Sequence, residues 1–416
     1  MRSLLLLLAA CSGSTSSEPD APVSAPEPAP VEAEPVPSPA QLPADLTLRP
    51  ATELRTSPAA VPLVAEALPM RELLLGVVQE HGMVADNPWA IGHGLLALGP
   101  DAALPDGSSA VDWLFSEYAE ELPLGDTVAV RFPVSRGAIR VEPHADLVLK
   151  VLTEVGVSPD RAVTVQGQPH TVADLYTGSL ARAWVADGQT GFADFNDTPW
   201  ALQGIATWAP EELSWTATGG HAMTLDGYTH DVVGKLGEET AFMREAMANG
   251  TTVEKRRQGI FAYTCGGAHL FQGAAYAVAR GYGEPEDRDA ILRELSVWFW
   301  RAQLELDLVD ELIRSQPQYA PVLLEQRLKF TGHLLESVHK VWALGLAEPT
   351  EAQLALVAIL RHQLLVTVEA IDKLGLWAKL DEVRAADEQV YLDYVGDAAH
   401  ALRALDLSTG EGSVRL

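Results

Sequence analysis

Apolar residues recur along most of this chain at intervals of three and four. Ile291, Leu295, Trp298, Ala302, Leu306 and Val309 step by four, three, four, four and three, and Val357, Leu360, Leu364, Val368 and Ile371 by three, four, four and three. At 3.6 residues per turn each set falls on one face, so both segments predict helices with a buried stripe. The same pattern predicts twelve helices, near 69–82, 88–98, 108–121, 145–156, 172–184, 197–208, 228–248, 266–280, 286–313, 320–345, 350–373 and 376–404. A period of two occurs in two short stretches. One is 127–141, where Val128, Val130 and Phe132 alternate ahead of Ser135-Arg136-Gly137; the other is 162–172, around Gln166-Gly167. These predict β-hairpins. No strand–helix–strand alternation runs through the chain, which argues against a parallel sheet. The expected fold class is therefore mainly all-α, a helical-hairpin array with one or two short β-hairpin insertions.

The pattern breaks at the N-terminus. Residues 1–10 carry one positive charge and an apolar run too short to span a bilayer, as a signal peptide does. From Ser12 to Pro50 the composition turns to Pro, Ala, Ser and Glu, with ten of the chain's 27 prolines and no Lys or Arg before Arg49. Such a segment buries too little apolar surface to fold and favours extended polyproline II. The expected organisation is a signal peptide over 1–10, Cys11 with a disordered stalk over 11–55, and a helical domain over 56–416. Leu8-Ala9-Ala10-Cys11 resembles the lipobox of bacterial lipoproteins. That resemblance implies lipid on Cys11, attachment to the membrane through it and a place in the cell envelope. With Ser12 following, it implies the outer membrane, facing the periplasm or the cell surface. Lipid on Cys11 would also exclude an intrachain disulfide to Cys265, the other cysteine.

Composition narrows the partners. Of 416 residues, 47% are hydrophobic and 21% charged, which is the balance of a globular chain. Asp and Glu outnumber Lys and Arg 57 to 29, a formal charge of −28. So acidic a surface repels phosphate backbones, and Lys255-Arg256-Arg257 is too short a run to form a basic footprint, so nucleic acid is excluded as a partner. Phosphate-loop, dinucleotide-binding, His-Glu-x-x-His and Gly-x-Ser-x-Gly motifs are absent.

Two half-repeats point to paired helices. Asp86-Asn87-Pro88-Trp89-Ala90 recurs as Asp197-Thr198-Pro199-Trp200-Ala201, each a cap residue, proline at the first turn and an aromatic. His269 precedes Gly281 by twelve residues and His333 precedes Gly345 by the same interval, with each glycine placed to stop a helix. Twelve helices with repeated starts resemble the (α/α)6 toroids of lanthionine synthetase C-like proteins, prenyltransferases and six-hairpin glycan-active enzymes. A non-toroidal helical array is the alternative.

In such toroids the inner helices present their N-terminal ends to a shared cavity, so polar residues and glycines at helix starts are the first candidates. They are Trp89 with His93, Gly219-Gly220-His221, Cys265-Gly266-Gly267-Ala268-His269, and Gly332-His333 with Glu336. Paired glycines suggest close approach of a ligand or simply tight helix packing. Cys265 and His269 are one helical turn apart, and His333, one half-repeat later, offers a third donor for zinc. The lanthionine synthetase C-like enzymes bind zinc through cysteines and a histidine, although their Cys-His-Gly element is absent here. Asp197, Asp226 and Glu336 are candidate catalytic acids for glycosidic chemistry. Trp89, Trp200 and Tyr263, with His93 and His221, are candidates to hold a glycan or other small ligand. Glu305, Asp307, Asp310 and Glu311 read as the solvated side of a long helix, and His362 and His400 as surface or core histidines. Three functions follow: binding of a glycan or small envelope ligand in a central cleft, a zinc-dependent or acid/base enzyme, and a structural envelope lipoprotein.

Overall fold

Helices form where the three-and-four spacing lies. In a computed structural model, residues 38–43 and 46–416 are described, so the signal peptide, Cys11 and the stalk as far as residue 37 lie outside the described residues. The helices are α1 (Leu68–His81), α2 (Pro88–Leu98), α3 (Ala110–Tyr118), α4 (Leu147–Val155), α5 (Val172–Arg182), α6 (Thr198–Trp208), α7 (Leu225–Asn249), α8 (Ala268–Ala279), α9 (Asp287–Ser315), α10 (Ala320–Ala343), α11 (Glu351–Lys373), α12 (Leu380–Ala386) and α13 (Glu388–Thr409). The fold is mainly α with small hairpins, as the periodicity predicts. The helix expected over 376–404 is divided, because Asp387 leaves helical geometry and its carboxylate caps α13 by accepting from the N–H groups of Gln389 and Val390.

Six helices pack in a closed cycle: α2 on α4, α4 on α6, α6 on α8, α8 on α10, α10 on α13, and α13 back on α2. The helices between them in sequence, α1, α3, α5, α7, α9 and α11, pack around the cycle. Burial follows this division. Every residue of α6 is buried, whereas α11 buries a stripe of Val357, Leu360, Leu364, Thr367, Val368 and Ile371. The inner helices approach closely at glycines: a Cβ on Gly273 of α8 would lie 2.5 Å from the Pro199 carbonyl oxygen of α6, and one on Gly396 of α13 would lie 2.4 Å from the Trp89 ring of α2. For the inner ring, tight packing is the reason for glycine.

The hairpins differ in part from expectation. The strands Ala162–Val165 and Gln168–Thr171 pair around Gln166-Gly167 as predicted, both turn residues having positive φ. The stretch beginning at Thr127 instead pairs backward: the strand Thr127–Arg131 lies on Glu120–Leu124 across Gly125-Asp126, and Glu120–Leu124 begins in the last two residues of the helix expected over 108–121. A smaller hairpin, Ser135–Arg136 with Ile139–Arg140, uses the Ser135-Arg136-Gly137 turn. Gly219-Gly220-His221 does not start a helix. It turns the hairpin Ser214–Ala217/His221–Thr224, both glycines having positive φ. Residues expected in the stalk lie on the helical body: Gln41 bridges Thr216, the Arg49 N–H donates to the Trp208 carbonyl, and Leu54–Arg55 pairs with Val414–Arg415 near the other end of the chain.

Candidate functional site

The ring encloses a cavity of about 570 Å³, to which each inner helix or the segment leading into it contributes. Trp89 and His93 come from α2, His144 from just before α4, Asp197 and Trp200 from the start of α6, Cys265 and His269 from the start of α8, Lys329 and His333 from α10, and Asp393, Asp397 and His400 from α13. The volume lies within the range of small-molecule sites.

Hydrogen bonds fix how several histidines face this space. His93 Nδ1 is 2.9 Å from the Trp89 carbonyl oxygen, and His333 Nδ1 is 2.9 Å from that of Lys329. A carbonyl only accepts, so Nδ1 carries the hydrogen in both rings and Nε2 keeps its lone pair. His400 Nδ1 is 2.7 Å from Glu336 Oε2 and donates to it. Buried in the same cluster, His333 Nε2 and His269 Nδ1 have no hydrogen-bond partner. Burial pushes the His93 imidazolium down to about 3, with His400 adding to the effect. Burial and the neighbouring histidines hold His269 and His333 well below the usual histidine range. Neutral imidazoles with open lone pairs are the form in which histidine binds metals.

Cys265 enters from a strained loop. Its φ of 52° and ψ of 34° are left-handed, and Gly266 and Gly267 follow with φ of 60° and 83°. A left-handed non-glycine residue is uncommon and costs roughly 1–3 kcal/mol, so the surroundings must impose it. They do so through Arg301, which is buried, pairs with Glu305 at 2.6 Å and donates from Nη1 to the Gly266 carbonyl at 2.9 Å. Glu305 is thus part of the brace. Its expected place on a solvated helix side is corrected: Arg301 and Lys255 compensate its burial. The loop brings one donor atom each from Cys265, His269 and His333 to within 4.8 Å of one another. Zinc–donor bonds of 2.0–2.3 Å in a tetrahedron place ligand atoms roughly 3.3–3.7 Å apart, so a small inward movement closes the three around an ion. Three protein donors leave a fourth position open.

On the α13 side, Lys329 Nζ lies 2.9 Å from Glu325 Oε1, 3.6 Å from Asp393 and 3.7 Å from Asp397. One ammonium among three carboxylates under-compensates them. Burial therefore raises Asp393 to about 6 and Asp397 well above the carboxylate range, against the pull of Lys329.

The structure brings Trp89, His93, Asp197, Trp200, Cys265, His269 and His333 to one cavity, and it places the other candidates elsewhere. His221 stacks on Trp184 with ring centroids 3.7 Å apart. Asp226 accepts from the Gly283 N–H at the start of an outer helix. Tyr263 is core, with its hydroxyl toward Glu239. Glu336 is fully buried between Lys340 and His400 and serves the site through His400. Trp200 is only 3% exposed and stacks with His144 and His269, so a sugar ring has no open face of it to lie on. The sequence reading missed His144, passed over His400 and did not single out Thr264, Lys329, Asp393 or Asp397. For His400 a signal existed: it stands in the buried apolar run Ala398, Ala399, Ala401 and Leu402 of α13.

No protein-family profile matches the chain, and no curated protein or solved structure matches it significantly.

Proposed function

We propose that this is a lipid-anchored cell-envelope protein whose inner and outer helices form an (α/α)6 toroid, and that the cavity of the toroid is the site of a zinc-dependent enzyme acting on a small polar ligand. Cys265, His269 and His333 would hold the ion. When bound, zinc would polarise a ligand oxygen or lower the pKa of a bound water. The residues of the chain do the rest: Arg301 holds the cysteine loop, the Lys329 carbonyl fixes the His333 tautomer, and Asp393 and Asp397 supply a carboxyl that keeps its proton near neutral pH.

The observation that carries this reading is the convergence of three zinc-type donors, one from the loop before α8 and two from the inner helices α8 and α10, the latter being buried imidazoles that each have an unpartnered ring nitrogen. A binding protein for glycans without metal is less well supported, because Trp200 has no open face and a metal-free pocket leaves those nitrogens without a role. The test is zinc content of the full chain purified without chelator, beside Cys265→Ser and His269→Ala. The reading expects near one zinc per chain in the parent and a loss in both variants. Folded parent protein that has been offered zinc and retains none would overturn it.

A further inference from the structure

The same cavity carries a second reactive arrangement that uses none of the metal donors. Asp197 Oδ1 lies 3.2 Å from His144 Nδ1, and His144 Nε2 lies 3.3 Å from Thr264 Oγ1. The hydrogen positions follow from chemistry. The Asp197 carboxylate only accepts, so His144 Nδ1 carries the ring hydrogen. Nε2 is then the acceptor, and the Thr264 hydroxyl donates to it. Asn196 fixes the other side of the hydroxyl. Its Nδ2 donates to Thr264 Oγ1 at 2.7 Å, and its Oδ1 accepts the Thr264 backbone N–H at 3.1 Å. Trp200 lies flat against the His144 ring at 4.7 Å with the planes 5° apart, which leaves the imidazole little rotational freedom.

Exposure runs in the order such a chain requires. The Asp197 side chain is 10% exposed and that of His144 is 24%, and Thr264, half-buried, lines the cavity. A hydroxyl donating to an imidazole whose far nitrogen is held by a buried carboxylate is the arrangement of an activated oxygen nucleophile. A loop that needed only to be held in place would be served by the two Asn196 bonds. The additional imidazole and carboxylate, both lining a cavity, have a chemical rather than a holding role.

We propose that Thr264 is a nucleophile activated by His144 and Asp197, and that it acts on an ester or comparable acyl compound small enough for the cavity. Oγ1 attacks the acyl carbon, and its proton passes to His144 Nε2. Collapse of the adduct breaks the bond to the leaving alcohol, which takes that proton and departs. Water then attacks the Thr264 ester by the same route, giving the carboxylic acid and restoring the hydroxyl. No oxidant, reductant or cofactor is required. This inference goes beyond the zinc reading and does not rest on it.

The test uses a fluorophosphonate, from which an activated hydroxyl displaces fluoride to leave a covalent phosphonyl adduct. The full chain, treated with chelator so that the outcome is independent of zinc, is incubated with the probe, and the adduct is located by peptide mass. The expected result is one adduct on Thr264. Its rate should fall about 100-fold or more in His144→Gln, the scale of losing general-base assistance, and less in Asp197→Asn. Thr264→Val should abolish it and Thr264→Ser should retain it. Far-ultraviolet dichroism and thermal midpoints identify any variant that fails to fold, and Thr264→Ser then serves as the folded reference. A folded parent that forms no adduct, an adduct on Cys265 in place of Thr264, or an unchanged rate in folded His144→Gln would overturn the proposal.

Discussion

Two layers of buried polar groups are stacked inside the ring, one helical turn apart, and they differ in what their atoms meet. In the lower layer Lys340 Nζ lies 2.6 Å from Glu154 Oε1 and 2.6 Å from Glu336 Oε1, and Lys150 Nζ lies 2.9 Å from Glu154 Oε2. Gln203 donates to Glu154, and Gln272 joins Lys340 to Ser337. Burial alone would raise the Glu154 carboxyl, but Lys150, Lys340 and Arg403 overcome it and hold it well below the usual range. Lys340 and His400 do the same for Glu336. In the upper layer His93, His269 and His333 are kept neutral, and His269 Nδ1 and His333 Nε2 have no hydrogen-bond partner. Charges matched to one another fix where the helices stand. Neutral donors left unmatched beside a cavity are a cost to stability that a ligand can remove. The lower layer reads as scaffold and the upper as site.

The largest expected effect lies in the scaffold. Lys340→Met leaves the Glu154 and Glu336 charges under-compensated in the core, and a broken buried pair costs about 3–5 kcal/mol. Urea unfolding measures it, and a change below about 1 kcal/mol would show that the lower layer does not hold the ring.

Acid separates the layers next. Burial pushes His339, which packs on Trp342 away from the cavity, down to about 4, with Arg361 contributing. In the unfolded chain it titrates near 6.5, so between those values the unfolded state binds the extra proton. Its stabilisation is therefore complete above pH ~6.5 and falls as pH drops toward 4, by up to about 3 kcal/mol at 1.4 kcal/mol per unit. His93, His269 and His333 act in the same direction. Glu154 and Glu336, whose folded values are lowered, lose their contribution only as the pH falls below the ordinary glutamate value of ~4.3. Unfolding followed from pH 8 to 3 should show the histidine loss first, and His339→Gln should flatten the profile between pH 6.5 and 4. An unchanged profile in that variant would contradict the assignment.

Smaller effects sharpen the contrast. Asp387→Ala removes the cap of α13, the helix that carries Asp393, Asp397 and His400, at a cost of about 1 kcal/mol, read as a lower denaturation midpoint. The smallest change is expected at the site itself. His269→Leu removes an unpartnered buried nitrogen, so metal-free stability should move by less than ~1 kcal/mol. The parent, in contrast, gains about 2.7 kcal/mol in zinc at a hundredfold excess over its dissociation constant, and the variant should gain none. A large loss of metal-free stability in His269→Leu would place that residue in the scaffold.

Much of the architecture was legible because helix burial is periodic. The stripe of α11 lies on the residues its spacing named, and Val309, the last position of the α9 set, is only half-buried. Cys265, His269 and His333 were found because two are four apart in sequence and the third occupies the matching place in a half-repeat that ends at Gly281 and Gly345, both with positive φ, although Cys265 reaches the site from a left-handed loop and not from the helix expected to carry it. What was not legible depends on contacts distant in sequence. His144 gains its place from Asp197 and Thr264, 53 and 120 residues away, and His400 from Glu336, 64 residues away. Glu305 was assigned to solvent because a charge on an amphipathic helix usually faces water; Arg301 stands one turn before it, but Lys255, 50 residues away, is a partner that no local spacing reveals. The strand Glu120–Leu124 overlaps the expected 108–121 helix at its first two residues, and the Gly125-Asp126 turn that reverses the chain was passed over.

In the reading proposed above, the upper layer is a metal site built from Cys265, His269 and His333. Its most direct test is the absorption spectrum of the chain with cobalt(II) substituted for zinc. Such a site gives intense tetrahedral visible bands together with a thiolate-to-cobalt charge-transfer band, the latter lost in Cys265→Ser and both lost in His333→Ala. A spectrum of weakly bound octahedral cobalt, identical in the parent and both variants, would contradict it.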